Sequence, residues 1–351
     1  MLNEEHRTES SSFSARHSAF SAPADVINAV SAMRRPIVIA HVVPDADALG
    51  AMFSMALAWS SERCCPRVSL PPGSLSQRLS FLYDLAHVNL ASPEDFRLTD
   101  GFIVLDTAKK QRCAVGPALK ETDWVAGRTL VNIDHHATNT RFGDVNWVVE
   151  DAGSTCELVY ALLRAANRSI DPAVASLLYA GMQTDTLGFS LPTTRAVALR
   201  ACADLVDRGA DVGFLGERLC RSQTKSEFEL LRVVYDNTRV IAEGRLAYST
   251  AGFEEIHNAG CTAADIDEQI NVPRSLQGVQ LAMLFSEGNR GKTRVNFRGS
   301  GPVTVVELAA EFKGGGHQQS AGAILDCGLE ESVERVVPRA IEHLRRFAPS
   351  G

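Results

Sequence analysis

The chain has no apolar run approaching the roughly 18 residues that a membrane-crossing helix requires, so no helix of that kind and no membrane partner is expected. It has no surplus of basic charge: 35 Lys and Arg stand against 42 Asp and Glu, for a formal net charge of -7. Long duplex nucleic acid is disfavoured as a partner on that ground, because a phosphate backbone needs a broadly basic surface. A small anion in a locally basic pocket remains compatible. It has no C-x-x-C pair either. The 8 cysteines are scattered, and Cys64 and Cys65 are adjacent. That is neither a zinc-knuckle spacing nor a disulfide framework, and it favours reduced thiols and a cytoplasmic location. Residues 1–20 are polar and Ser-rich, and lack the basic start and apolar centre of a secretory signal. They are read as part of a disordered tail over 1–21. No internal repeat and no long low-complexity segment is visible.

What is present is chain enough for two domains: 351 residues, 45% apolar and 22% charged, an ordinary globular composition. Three short apolar runs stand out by the residues at their ends. Pro36-Ile-Val-Ile-Ala40 leads to His41, Asp45 and Asp47; Gly101-Phe-Ile-Val-Leu105 ends on Asp106; Thr129-Leu-Val-Asn-Ile133 leads into Asp134-His135-His136. Each run is short and rich in β-branched residues, as a strand buried on both faces is. Ligands of open α/β sheets gather beyond the carboxyl ends of the strands. Crowded carboxylates repel one another, and burying them is costly unless a cation is present. The economical reading is a site for two divalent metal ions. Hard ions favour carboxylate oxygens and imidazole tilts the choice toward a transition metal, so Mn²⁺ fits better than Mg²⁺, with Co²⁺ and Zn²⁺ open. Two such ions lower the pKa of a shared water and clamp a phosphoryl group. A single Asp at a strand end is otherwise a turn or helix cap; repetition at three ends is what favours ligands. Asp185, within Gly181-Met-Gln-Thr-Asp185-Thr-Leu-Gly-Phe189, reads equally as a cap or a ligand.

The pattern predicts an α/β protein, with an N-terminal parallel-sheet domain joined by a helical linker to a smaller α/β C-terminal domain. Helices are expected over 23–34, 45–60 and 75–85, and strands over 36–41, 67–70, 101–106 and 129–134. Residues 153–220 read as mostly helical, with Ser154 and Thr155 as caps and Glu157 placed to close a capping box from Ser154. The domains are set at 22–220 and 244–351, with 221–243 between them. In the second, Lys292, Arg294, Asn296 and Arg298 fall on one face of a strand while Val295 and Phe297 fall on the other. That strip is a candidate anion surface, or alternatively a solvated edge strand. Gly314-Gly-Gly316-His317 either lets backbone amides approach an anion or forms a left-handed turn after a helix ending near Phe312.

Together these residues resemble the DHH phosphoesterases. The match runs through His41-Val-Val-Pro-Asp45-Ala-Asp47, Asp106, Asp134-His135-His136 and Asp185 to the Gly314-Gly-Gly316-His317 motif of one type of associated C-terminal domain. The resemblance implies that His41, Asp45 and Asp106 bind one metal, and that Asp47, Asp106, His135 and Asp185 bind the other. Asp134 would orient a histidine, and His136 would face the substrate phosphate or the leaving oxygen, which makes these two the catalytic candidates. Arg294, Arg298, Gly314, Gly315, Gly316 and His317 would hold substrate. Gly299 stands where relatives carry Ser, and Gln318 and Gln319 where they often carry Lys. The compact architecture is similar to that of the stand-alone oligoribonucleases (nanoRNases) that also dephosphorylate 3′-phosphoadenosine 5′-phosphate. Short RNA or small nucleotides are therefore the expected substrates, and a homodimer is expected by analogy. The resemblance also leaves open a cyclic di-adenylate or pApA phosphodiesterase, an inorganic pyrophosphatase, and a catalytically silent nucleotide-binding module.

Overall fold

The computed structural model describes residues 20–116, 123–191, 193–221, 223–316 and 318–347. The chain divides into two compact units, Met1–Ser222 and Gln223–Gly351. Among the described residues no helix is long and apolar enough to cross a membrane.

The first unit is built on five strands: β1 (Pro36–Ile39), β2 (Arg67–Ser69), β3 (Gly101–Leu105), β4 (Thr129–Asp134) and β5 (Val145–Val148). They pair in the order β2-β1-β3-β4-β5, all parallel. The expected burial on both faces is realised. Val38, Ala40, Ile103, Leu105, Val131 and Ile133 enter one core, and Ile37, Ile39, Phe102, Val104 and Leu130 enter the other. Each strand thus alternates between two apolar layers, which is why it reads as an unbroken apolar run. In this order the chain reverses between β1 and β3, and the crevice outside the carboxyl ends of those strands is where a doubly wound sheet binds its ligand.

The larger core is closed by α1 (Ala24–Ala32), α2 (Ala46–Trp59), α3 (Ser80–Ala86), α5 (Thr155–Ala165), α6 (Pro172–Asp185), α7 (Ala196–Asp207) and α8 (Val212–Cys220), whereas α4 (Pro93–Leu98) covers the other core through Phe96. α2 and α6 cross closely because their contact is lined by glycine. A Cβ on Gly50 would lie 2.5 Å from the Leu177 carbonyl oxygen, and one on Gly181 would lie 2.8 Å from Asp47 Oδ1 of α2 and 2.3 Å from the Cys156 sulfur of α5.

Several expectations are corrected. Strand β5 is not among the expected strands; its Val-Asn-Trp-Val sequence is too short and mixed to carry a period. The helix expected over 75–85 begins as a tight 3₁₀ turn, Gln77–Leu79, before α3. Ser154 caps α5 by accepting from Glu157 N, but the Glu157 carboxylate reaches Gly153 N instead of Ser154, so the box is not closed. Phe20, assigned to the tail, packs against the core, with the Arg195 guanidinium 4.4 Å from its ring centroid; residues 1–19 lie outside the described residues.

The second unit opens with α9 (Lys225–Asp236) and holds a six-stranded mixed sheet. Its strands are β6 (Arg239–Ile241), β7 (Leu246–Ala251), β8 (Leu281–Asn289), β9 (Lys292–Gly299), β10 (Gly315–Gly316) and β11 (Ser320–Leu325), in the order β10-β11-β9-β8-β7-β6. Only β7 and β8 run parallel. Leu230 and Val234 of α9 are buried with Ala251, Ile256 and Leu284, so that helix belongs to this unit's core.

Candidate metal centre

The strand ends bring together the residues singled out by sequence. Among the described residues, three sets of ligand atoms lie within 4.8 Å of one another: His41, Asp45 and Asp106; Asp47, His135 and Asp185; and Asp106, His135 and His136. The imidazole nitrogens stand a little beyond hydrogen-bonding distance from the carboxylates. His41 Nε2 lies 3.5 Å from Asp106 Oδ2, His135 Nε2 lies 3.5 Å from Asp106 Oδ1 and 3.3 Å from Asp185 Oδ2. Two ligand atoms each bound at about 2.1 Å to one ion stand roughly 3.0–3.5 Å apart. The donor set and its spacing therefore fit divalent cations, with Asp106 common to two of the groups.

Each side chain has a local reason for its position. Asp106 follows β3 with φ 50°, a left-handed conformation that Asp tolerates better than most residues and that turns its side chain across the strand ends. Asp45 is the N-cap of α2, its Oδ1 accepting from Ala48 N at 3.0 Å. The cap reading and the ligand reading thus both describe it. Asp47, inside the first turn of α2, is buried, and both its oxygens accept backbone hydrogen bonds from the first turn of α5: Thr155 N at 2.6 Å and Cys156 N at 2.9 Å. A carboxylate at a helix N-terminus is favoured by the unpaired amides and the helix dipole. Asp185 is the last residue of α6, so it caps no helix start; its side chain faces His135.

The histidines differ in how they are held. His135 Nδ1 donates to the Ala152 carbonyl at 3.2 Å, which leaves Nε2 directed at Asp106 and Asp185. This is the arrangement that fixes the tautomer of a metal-binding imidazole. His136 Nδ1 is bonded to Asp134 Oδ1 at 2.7 Å. Asp134 is fully buried and also accepts from His135 N at 2.9 Å and Asn139 Nδ2 at 2.6 Å. Asn139 is in turn braced by the Asn132 side chain and the Thr107 carbonyl. Sequence reasoning missed Asn139; its offset of five from Asp134 was the available signal. His41 Nδ1 is buried and finds no hydrogen-bond partner among the described residues.

Electrostatics follow from this crowding. Burial, then the Asp106 charge, pushes Asp47 up to about 7. Asp185 is raised well above the ordinary carboxylate range by burial and by Asp47, Asp45 and Asp106. Asp106 is buried too, but its contact with His41 and the charges of His136 and His135 outweigh that and hold it below the usual range. Burial opposes charge on His41, His135 and His136, yet the adjacent carboxylates raise all three. Some carboxylates in this cluster are thus driven toward neutrality for want of positive charge, which a divalent cation would supply.

The second unit carries the other candidates. Arg294 is exposed and Arg298 half-buried on β9, with Val295 and Phe297 buried behind them. β9 lies between β11 and β8, so the edge-strand alternative does not apply. Gly315 and Gly316 form β10, and the left-handed residue after the preceding helix, α10 (Val306–Glu311), is Lys313 with φ 59°. A Cβ on Gly314 would lie 2.2 Å from the Gly322 carbonyl oxygen, so close backbone approach requires glycine there. Gly299 is explained similarly: a Cβ would lie 2.1 Å from the Val303 carbonyl oxygen, leaving no room for the Ser of relatives. Gln319 ties the loop after β9, its Nε2 donating to Gly301 O. His317 lies outside the described residues.

Comparison with known proteins agrees with this geometry. Residues 35–182 match the model of the DHH family, N-terminal domain, and residues 243–348 match that of the DHHA1 domain. The chain thus carries a DHH domain followed by a DHHA1 domain. Curated DHH-type relatives run nearly its full length. A Bacillus subtilis (strain 168) protein named bifunctional oligoribonuclease and PAP phosphatase NrnA is 27% identical over 303 residues, covering 85% of this chain and 92% of the relative. The protein of that name from Thermus thermophilus is 29% identical over 326 residues, covering 92% and 94%. In fold, this DHH chain is similar to the crystal structure of an exopolyphosphatase-related protein from Bacteroides fragilis, with a TM-score of 0.81 at 22% identity over 92% of this chain and 97% of that one.

Proposed function

We propose that this DHH chain is a metal-dependent phosphoesterase that hydrolyses short oligoribonucleotides to mononucleotides and 3′-phosphoadenosine 5′-phosphate to AMP. The observation that carries the reading is the convergence of carboxylates and imidazoles from three parallel strand ends, with Asp106 common to two ligand groups at the point where the sheet order reverses. The names of the Bacillus and Thermus relatives support the substrate class.

His41, Asp45 and Asp106 are the proposed holders of one cation, and Asp47, Asp106, His135 and Asp185 of the second. Mn²⁺ is the preferred ion from the mixed oxygen and nitrogen donors. When bound, such ions activate water at neutral pH and neutralise charge on a phosphoryl group. The protein supplies the rest. Asp134, held by Asn139, fixes the His136 ring through Nδ1 and presents its other nitrogen for the substrate phosphate or the departing 3′-oxygen. In the second unit Arg294 and Arg298 are the proposed partners of the terminal phosphate, with Gly315 and Gly316 proposed to offer backbone amides and His317 a ring nitrogen. The Gly314 amide already donates to the Ala309 carbonyl at 2.9 Å, so Gly314 serves the site only by permitting close backbone approach. A local basic strip is sufficient for this, which agrees with a chain whose net charge is -7.

The test is a substrate panel with Mn²⁺-loaded protein: 3′-phosphoadenosine 5′-phosphate, pApA, oligoribonucleotides of two to five residues, cyclic di-adenylate and pyrophosphate. AMP release from the first and mononucleotides from the oligomers are expected. A clear preference for pyrophosphate or the cyclic dinucleotide overturns the assignment.

A further inference from the structure

The first turn of α5 contributes none of the proposed ligands, yet it touches two of them. Ser154 caps the helix by accepting from Glu157 N at 3.1 Å. That leaves the amides of Thr155 and Cys156, which point out of the helix start with no intrahelical partner. Both are taken by Asp47, one per oxygen. The Thr155 hydroxyl then reaches across to Asp106 Oδ1 at 3.0 Å, linking residues 49 positions apart. Thr155 is fully buried, as are the two carboxylates it meets. One residue thus fixes Asp47 through its backbone and Asp106 through its side chain.

We propose that Thr155 is a positioning residue that holds Asp106 and Asp47 in the mutual arrangement needed to share two cations. This rests on the metal-centre reading above and deepens it. The chemistry supports the assignment. A carboxylate oxygen has two lone-pair directions; a hydroxyl donor occupies one and leaves the other for a cation. Asp106 needs such a partner more than its neighbours do. It sits at positive φ beyond the strand end, and the imidazoles near Oδ1 stand at 3.5 Å, too far to orient it. The Thr155 hydroxyl, by contrast, is at full hydrogen-bonding distance from that oxygen. Outer groups that orient a metal-binding carboxylate typically change metal affinity by about 10–100-fold when removed.

The experiment compares the full chain with Thr155→Val, Thr155→Ser and Thr155→Ala. Mn²⁺ affinity is read by isothermal titration and by paramagnetic resonance of free Mn²⁺, with no substrate present. Thr155→Val keeps both backbone amides and removes the hydroxyl, so it is expected to weaken Mn²⁺ binding by about 10–100-fold. Thr155→Ser restores the hydroxyl and is expected to bind Mn²⁺ as the parent does. If Thr155→Val does not fold, the Ser and Ala variants decide, because they differ chiefly by the oxygen. Parental affinity in Thr155→Val, or equal affinity in the Ser and Ala variants, overturns the positioning role alone. A parent chain that binds no Mn²⁺ overturns the metal centre and this role together.

Discussion

Asp106 is the residue on which the centre turns, because it is common to two of the ligand groups and lies within reach of His41, His135 and His136. Asp106→Asn preserves its shape and removes its charge. The proposed chemistry loses a ligand to both cations, a deficit of about 4 kcal/mol in transition-state stabilisation, or roughly a thousandfold in kcat/KM. The measurement is steady-state hydrolysis of 3′-phosphoadenosine 5′-phosphate; activity within tenfold of the parent would refute a shared role. Asn139 makes a subtler case. It touches no proposed ligand directly, but its amide holds the second oxygen of Asp134, whose first oxygen fixes His136. Asn139→Ala leaves that buried carboxylate short of a donor, and kcat is expected to fall about 10–100-fold while KM stays near the parental value. A change confined to KM would instead assign Asn139 to substrate binding.

Among elements, the crossing of α2 and α6 carries the proposed ligands Asp47 and Asp185 and depends on Gly181. Its Cβ position is occupied on two sides, 2.3 Å from Cys156 Sγ and 2.8 Å from Asp47 Oδ1. Gly181→Ala gains helix propensity but forces α6 away from α2 and from Cys156 of α5, at a net cost of about 1–3 kcal/mol. Thermal unfolding of the metal-free protein should therefore fall by several degrees, and an unchanged or higher Tm would mean the crossing is looser than the contacts require. This element also marks what sequence can and cannot disclose. The strand ends were legible because burial on both faces writes an unbroken apolar run, and an Asp or His directly after it has no apolar role. Asp185 was legible only by resemblance, since nothing before it announces a strand. The contact of Thr155 with Asp106 and the packing role of Gly181 were not legible at all. Their significance arises from the register of α5 against β3 and of α6 against α2, which no local spacing encodes. The same holds for Glu157, whose offset from Ser154 suits a capping box but whose carboxylate found Gly153 instead. The second unit behaves likewise: alternation along β9 was readable, whereas its interior place in the sheet followed from pairing with β11 and β8.

For the whole molecule, the proposed ligands lie between residues 41 and 185, within the first compact unit. Without cations, that unit buries Asp47 and Asp106 beside a raised Asp185, and the mutual repulsion is a standing cost to its stability. Cation binding should relieve it. At free Mn²⁺ one hundred times the dissociation constant, a single site contributes about 2.7 kcal/mol, which corresponds to roughly 5–11 °C in Tm for a domain of this size. The location of the effect is more diagnostic than its size. Amide hydrogen exchange with and without Mn²⁺ should show added protection at the carboxyl ends of β1, β3 and β4 and across the first turn of α5, where Thr155 and Cys156 donate to Asp47. Strands β6 to β11 contribute none of these ligands and should gain no comparable local protection. Protection that rises evenly over both units, or that appears first in β8 and β9, would mean that Mn²⁺ acts elsewhere and that the cluster at the strand ends is not the metal centre.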